Sequence, residues 1–264
     1  ASYDAKNYLG LGGGEVVPTK LVDTAEMETA SDDWYADFGG EGLAAMAVGR
    51  LPVRSASEAA AMVAKIVNYE QAARPEGVLL VADDDSDGVS FEVASNELRG
   101  MIQPDQAVEQ INRGSLDAVA AKGRLIDALN RGPRVVNYTG HGNATFWRGN
   151  LLTSGDAAQL ANGGNLSLFV MMTCLNGYFQ DPTDDSLSES LLRAKGGAVA
   201  VWASSGMSEP GTESLMDIEM FRRLLDPTSG LTVGEAALRA KAAVRSLDAR
   251  RTFILLGDPA TRLR

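Results

Sequence analysis

The chain has 264 residues, 45% hydrophobic and 22% charged, enough to bury a sizeable core as one large α/β domain or two smaller units. Its net charge of -11, with no Lys/Arg-rich patch, speaks against nucleic acid as a partner, because phosphate contacts need concentrated positive charge. One cysteine excludes an intrachain disulfide framework, one cysteine with one histidine argues against a structural zinc site, and no stretch is long and apolar enough to span a bilayer.

In chain order, residues 1–17 contain Gly10, Gly12, Gly13 and Gly14. They lack both the Walker spacing and a strand–GxGxxG–helix setting, so they read as a loop and not as a phosphate site. Residues 16–21 are short and extended, with Pro18 keeping them out of a central strand. The polar, acidic residues 23–34 read as a loop near the active face, and Gly39-Gly40-Glu41-Gly42 as a tight turn. Ser55-Ala56-Ser57-Glu58 is a capping box. The helix it opens extends to about Ala73, with Ala59, Met62, Val63, Ile66 and Val67 on its apolar side, and Pro75 and Gly77 stop it.

Residues 77–82 form a buried strand that runs into Asp83-Asp84-Asp85-Ser86-Asp87-Gly88. Asp83, Asp85, Asp87 and Gly88 have the opening spacing of a calcium loop, but its twelfth position is Ala94 where a glutamate is expected. The stretch therefore reads as an acidic loop at the sheet edge, with a structural calcium ion as the alternative and no organic cofactor. Residues 91–98 resemble helical turns, and a short strand is expected near 107–111. A helix from about Ser115 to Leu129, with Val119, Leu125, Ile126 and Leu129 on its apolar side, ends at Asn130-Arg131-Gly132-Pro133.

Two strands then carry the chemistry. Residues 134–142 end at the only histidine, His141, and residues 166–177 contain the only cysteine, Cys174. Both are short apolar runs bounded by glycine or asparagine. The segment between them, helical near 155–161, has room for a crossover. A crossover makes the strands parallel and brings their C-terminal ends to one edge, where ligands collect in open α/β sheets. An imidazole there could take the thiol's proton or stabilise the thiolate. The backbone N–H groups of Gly142 and Cys174 are candidate donors to a carbonyl oxygen that gains charge. The competing reading makes Cys174 a buried small hydrophobe and His141 a packing or capping residue.

Beyond His141, residues 143–148 read as a loop over the cleft. A helix ending near Ala194 follows Cys174, residues 197–202 form another central strand, and 203–208 an edge loop in which Ser204 and Ser205 could line a substrate wall. Neither serine has a G-x-S-x-G setting. Helices near 211–225 and 232–247 precede a last strand at 251–256.

Asn137-Tyr138-Thr139-Gly140-His141-Gly142, Phe146-Trp147 and Thr173-Cys174-Leu175-Asn176-Gly177-Tyr178-Phe179 together resemble the gingipain-like cysteine peptidases, peptidase family C25 of the caspase-like clan. The likeness continues through residues 196–206 and 255–259 and, upstream, 31–35 and 48–53, so it covers nearly the whole chain. It implies a caspase-like three-layer α/β sandwich, with a mainly parallel central sheet and helices on both faces. It implies a Cys–His dyad of Cys174 and His141, protein or peptide substrates, and a secreted or cell-surface location. Trp147 matches a family tryptophan of the substrate pocket. Glu41 falls near the acid that relatives preferring arginine or lysine place in that pocket, although many relatives have aspartate there. Some clan members orient the histidine with an acid, for which Asp32 or Asp33 is available. The resemblance further implies that residues 1–264 are the dyad-bearing, C-terminal part of a longer peptidase region, whose N-terminal subdomain would pack on them. The rivals are a non-catalytic structural or peptide-binding domain of the same fold and, less supported for want of phosphate motifs, a nucleotide-binding domain.

Overall fold

The computed structural model describes residues 17–72, 76–86, 88–226 and 228–263. The glycine-rich stretch at 10–14 and Asp87 lie outside them. Among the described residues, six strands form the central sheet: β3 (Val78–Ala82), β4 (Val108–Asn112), β5 (Val135–Thr139), β6 (Ser167–Met172), β7 (Ala198–Ser204) and β8 (Phe253–Leu256). Their order is β4-β3-β5-β6-β7-β8. The first five are parallel, and β8 closes the edge antiparallel to β7. Every residue of β3, β5, β6, β7 and β8 is buried. This is why their sequences read as continuous apolar runs, without the alternation of a half-exposed strand.

The connections place helices on both faces. The chain steps from β3 outward to β4 through α2 (Phe91–Met101). It then turns back toward β5, β6 and β7 through α3 (Ala118–Arg131), α4 (Ser154–Ala157) and α5 (Leu187–Arg193). Right-handed crossovers that run in opposite directions along a sheet lie on opposite faces. Accordingly α2 packs with α6 (Pro210–Leu225) on β3, β5 and β6, while α5 packs with α1 (Ala56–Gln71) on β7. The expected sandwich is the one observed.

Three details differ from the sequence reading. The buried stripe of α1 is Met62, Ile66 and Tyr69, whereas Val63 and Val67 face outward, as does Val119 at the start of α3. Residues 23–34 contain part of a hairpin, β1 (Leu21–Asp23) against β2 (Glu28–Ala30). Strands of three residues carry too little periodicity to be read. This pair is fixed from outside, by Thr29 Oγ1 donating to the Ser205 carbonyl at 2.5 Å and Ser205 Oγ donating to the Ala30 carbonyl at 2.6 Å. The helix expected at 232–247 divides into α7 (Val233–Ala242) and α8 (Leu247–Thr252), with Ser246 capping the second by accepting from Ala249 N–H at 3.2 Å. Neither glycine nor proline marks that break.

Candidate active site

His141 and Cys174 occupy equivalent places beyond two adjacent parallel strands. Thr139 of β5 is in register with Met172 of β6, and each of the two residues lies two positions further on. The strand ends are held together past the sheet, since Gly140 N–H donates to the Met172 carbonyl at 3.2 Å. At Gly142 an added Cβ would lie 2.8 Å from Thr173 Oγ1 and 3.3 Å from Asn176 Nδ2. The His141 and Cys174 segments therefore touch, and only a residue without a side chain fits between them. Both side chains are half-buried.

The imidazole is set by its surroundings. Its Nε2 is 2.9 Å from Ser86 Oγ in the loop after β3, and its edge meets Phe91 with ring centroids 5.2 Å apart. Its backbone N–H donates to Asp83 Oδ2 at 3.1 Å, and its carbonyl accepts from Tyr138 Oη at 2.7 Å. Asp83 is buried at the end of β3, and its other oxygen pairs with Arg113 Nη1 at 2.8 Å. At Gly140 a Cβ would lie 2.3 Å from Asp83 Cβ, so that glycine is what lets the β3 carboxylate reach the histidine backbone. The thiol faces the other neighbour. Cys174 Sγ lies 3.6 Å from Ser208 Oγ and 3.8 Å from the Ser208 carbonyl, in the loop after β7. The next residue, Leu175, has φ +62°. A non-glycine residue in the left-handed region costs about 1–2 kcal/mol, here offset in part by its N–H donating to the Gly206 carbonyl at 3.0 Å. Among the described residues, neither the Gly142 nor the Cys174 N–H has a hydrogen-bond partner.

The family model of peptidase family C25 matches residues 1–264. The chain belongs to that family. Gingipain R2 of Porphyromonas gingivalis is 36% identical over 86 residues, which are 31% of this chain and 12% of the relative. The aligned segment thus spans a small part of the curated relatives' length. The crystal structure of the Arg-specific cysteine proteinase gingipain R superposes with a TM-score of 0.81 at 20% identity, covering 99% of this chain and 67% of the other. A Porphyromonas gingivalis complex of RgpB pro- and mature domains gives the same score and identity, with 99% and 69% covered. The three-layer, caspase-like sandwich is shared with these structures.

In this C25 chain the remaining sequence candidates are placed as follows. Trp147 is fully buried, stacked on Tyr138 at 4.0 Å, with its indole N–H donating to Asn176 Oδ1 at 2.8 Å. It anchors the loop after His141 to the one after Cys174 and offers no face to a substrate. Ser204 and Ser205 are also fully buried, bonded to Gly206, Thr252 and the β2 hairpin instead of lining a wall. Glu41 is exposed on its turn, where its carbonyl accepts from Arg250 of α8 at 3.3 Å. Asp32 and Asp33 do not reach His141: they pair with Arg50 and Lys241, each at 2.5 Å. Of the calcium candidates, Asp83 is spent as described and Asp85 accepts from Ser90 Oγ at 2.7 Å. Among the described residues no cluster of three His, Cys, Asp or Glu could hold a metal ion.

Sequence reading missed Ser86, Ser208 and Glu213, because serines and a helix-start glutamate carry no distinguishing pattern. Glu213, in the first turn of α6, accepts from Ser208 Oγ at 2.6 Å, and burial pushes its carboxyl up from 4.5 to about 7. A carboxyl raised in this way binds its proton more tightly folded than unfolded. Its contribution to stability is complete below about pH 4.5 and lost as pH rises to about 7. The melting temperature of the wild type should therefore fall relative to Glu213→Gln across that window, which a pH series of thermal melts would read.

Proposed function

We propose that this chain carries the active site of a cysteine endopeptidase, with Cys174 as nucleophile and His141 as acid–base partner. The observation that supports this most is the position of the only cysteine and the only histidine, each two residues beyond register-paired ends of the adjacent strands β6 and β5, beside two backbone N–H groups that have no partner among the described residues. Family membership supplies the class of reaction. The thiol proton passes to His141 as Sγ adds to the peptide carbonyl carbon, and the oxyanion accepts from Gly142 and Cys174 N–H. The tetrahedral carbon expels the amine as His141 gives it a proton, leaving a thioester. Water then attacks with its proton passing to His141, and the acid and free thiol are regenerated. Ser86 Oγ, bonded to Nε2 at 2.9 Å, fixes the orientation of the ring.

A preference for a basic residue before the scissile bond extends the reading. An arginine-specific relative supports it, as do the net charge of -11 and the exposed Glu41 carboxylate. The relative solved with its pro-domain supports an N-terminal domain partner for this chain as well. The test uses the full-length protein and thiol-directed peptide probes ending in arginine or glutamate. Labelling of wild type by the arginine probe, lost in Cys174→Ala, is the expected result. Labelling that survives the loss of Cys174 would refute the assignment, and peptide binding without labelling or turnover would mark a non-catalytic binding module.

A further inference from the structure

Ser208 stands between Cys174 and a carboxyl that the peptidase mechanism does not use. Its Oγ is 3.6 Å from Cys174 Sγ and 2.6 Å from Glu213 Oε1. Glu213 is 3% exposed. One turn along α6, Asp217 is also buried and accepts from Asn137 Nδ2 of β5 at 2.9 Å on each oxygen. Burial pushes the Asp217 carboxyl well above its ordinary range, with the Glu213 charge adding to the shift. The groups facing Glu213 are thus Ser208, the thiol beyond it and Asp217. Among the described residues no cation pairs with either carboxyl, and α2 and α7, which also pack on α6, bond no charged group to them.

A serine hydroxyl has one proton and two lone pairs. When Glu213 is ionised, that proton points to the carboxylate and the lone pairs face the thiol. When Glu213 is protonated, the carboxyl can donate to Ser208 Oγ, and the hydroxyl proton is free to point at sulfur. We propose that Ser208 links the Cys174 thiol to the Glu213 carboxyl so that the two groups share one proton, which makes Glu213 a positioning residue for the charge on sulfur. In the transfer, the S–H proton moves to Ser208 Oγ as the serine's own proton moves to Glu213 Oε1. One S–H and one O–H bond break, two O–H bonds form, and the negative charge passes from carboxylate to sulfur with no change of oxidation state. The consequence for catalysis rests on the reading of Cys174 as nucleophile, but the proton link does not.

Two groups coupled in this way lose their protons in two macroscopic steps, the second against a charge already in place. Because Cys174 is the only cysteine, the pH profile of iodoacetamide alkylation reports on it alone. Wild type should show two steps. Glu213→Gln, whose amide donates to Ser208 Oγ and leaves the hydroxyl for sulfur, should show one, about one pH unit below the upper wild-type step. Adding Ser208→Ala to each protein should make the two profiles coincide. Superposed profiles for wild type and Glu213→Gln would overturn the proposal, and so would a difference that persists undiminished without Ser208. Should Glu213→Gln fail to fold, Ser208→Ala alone must lose the two-step profile, and an unchanged profile would refute the link. Peptide turnover measured in parallel separates the two readings. A shifted thiol titration without hydrolysis supports the link and counts against the peptidase, whereas hydrolysis with superposed profiles does the reverse.

Discussion

Replacing His141 by alanine should cut peptide turnover by about 10²–10⁴-fold, the usual contribution of a positioned acid–base group. It should leave alkylation of Cys174 by a small electrophile far less affected. The two readouts differ because they ask different things of the imidazole. Alkylation needs only a fraction of thiolate, which Ser208 Oγ at 3.6 Å favours once Glu213 is protonated. Amide hydrolysis needs a proton for the departing amine and a base for water, and no other described side chain at this edge is placed to supply both. The packing cost of the substitution should be small. The ring is half-buried, and Asp83 and Tyr138 hold its segment through the backbone N–H and carbonyl, which alanine retains. Steady-state kinetics with a basic peptide, beside alkylation rates on the same preparation, would check this. Equal losses in both would mean that His141 acts on the fold or on thiol charge alone.

Much of the site was legible because its two chemical groups are unique in the sequence and each ends a buried apolar run. Gly142 was legible as a backbone N–H donor, but not as the residue whose missing side chain lets the two segments touch. Side-chain roles that depend on orientation were not legible. Trp147 matches a tryptophan of the family's substrate pocket, yet its neighbours Tyr138 and Asn176 draw the indole inward. Asp32 and Asp33 sit in a stretch that belongs to the family pattern, but nothing local to them says that cations 18 and 208 residues away claim them. Ser204 and Ser205 follow a strand as a substrate wall would, and the hairpin that covers them is too short to show periodicity. The fold fared better than these contacts, because burial on both faces of a sheet leaves a continuous signal while pairing across the chain leaves none.

Asp32→Ala should destabilise the chain by about 3–5 kcal/mol, the cost of leaving one member of a buried ion pair alone. Arg50 donates to both oxygens of Asp32, through Nε at 3.0 and 2.8 Å and Nη2 at 2.5 Å, and the two side chains are only 5% and 4% exposed. The guanidinium also stands 4.4 Å from the Phe179 ring, in the segment that follows Cys174. Arg50 N–H donates to the Leu255 carbonyl at 2.9 Å and its carbonyl accepts from Gly257 N–H at 2.8 Å, so the same residue covers the open side of β8. Without the carboxylate, the charge would remain buried, left with the Phe179 ring, the Pro18 carbonyl at 3.3 Å and Tyr35, none of which carries a full opposing charge. Burying neither charge removes the difficulty, so the double substitution Arg50→Met, Asp32→Leu should recover most of the loss, since an apolar pair of similar volume is often neutral or better. Urea unfolding midpoints at constant slope would measure both effects. The discriminating observation is chemical. In the folded fraction of Asp32→Ala the pH profile of Cys174 alkylation should match wild type, because Asp32 holds the β8 edge and not the imidazole. A displaced profile would return Asp32 to the catalytic site and overturn the structural role assigned to it.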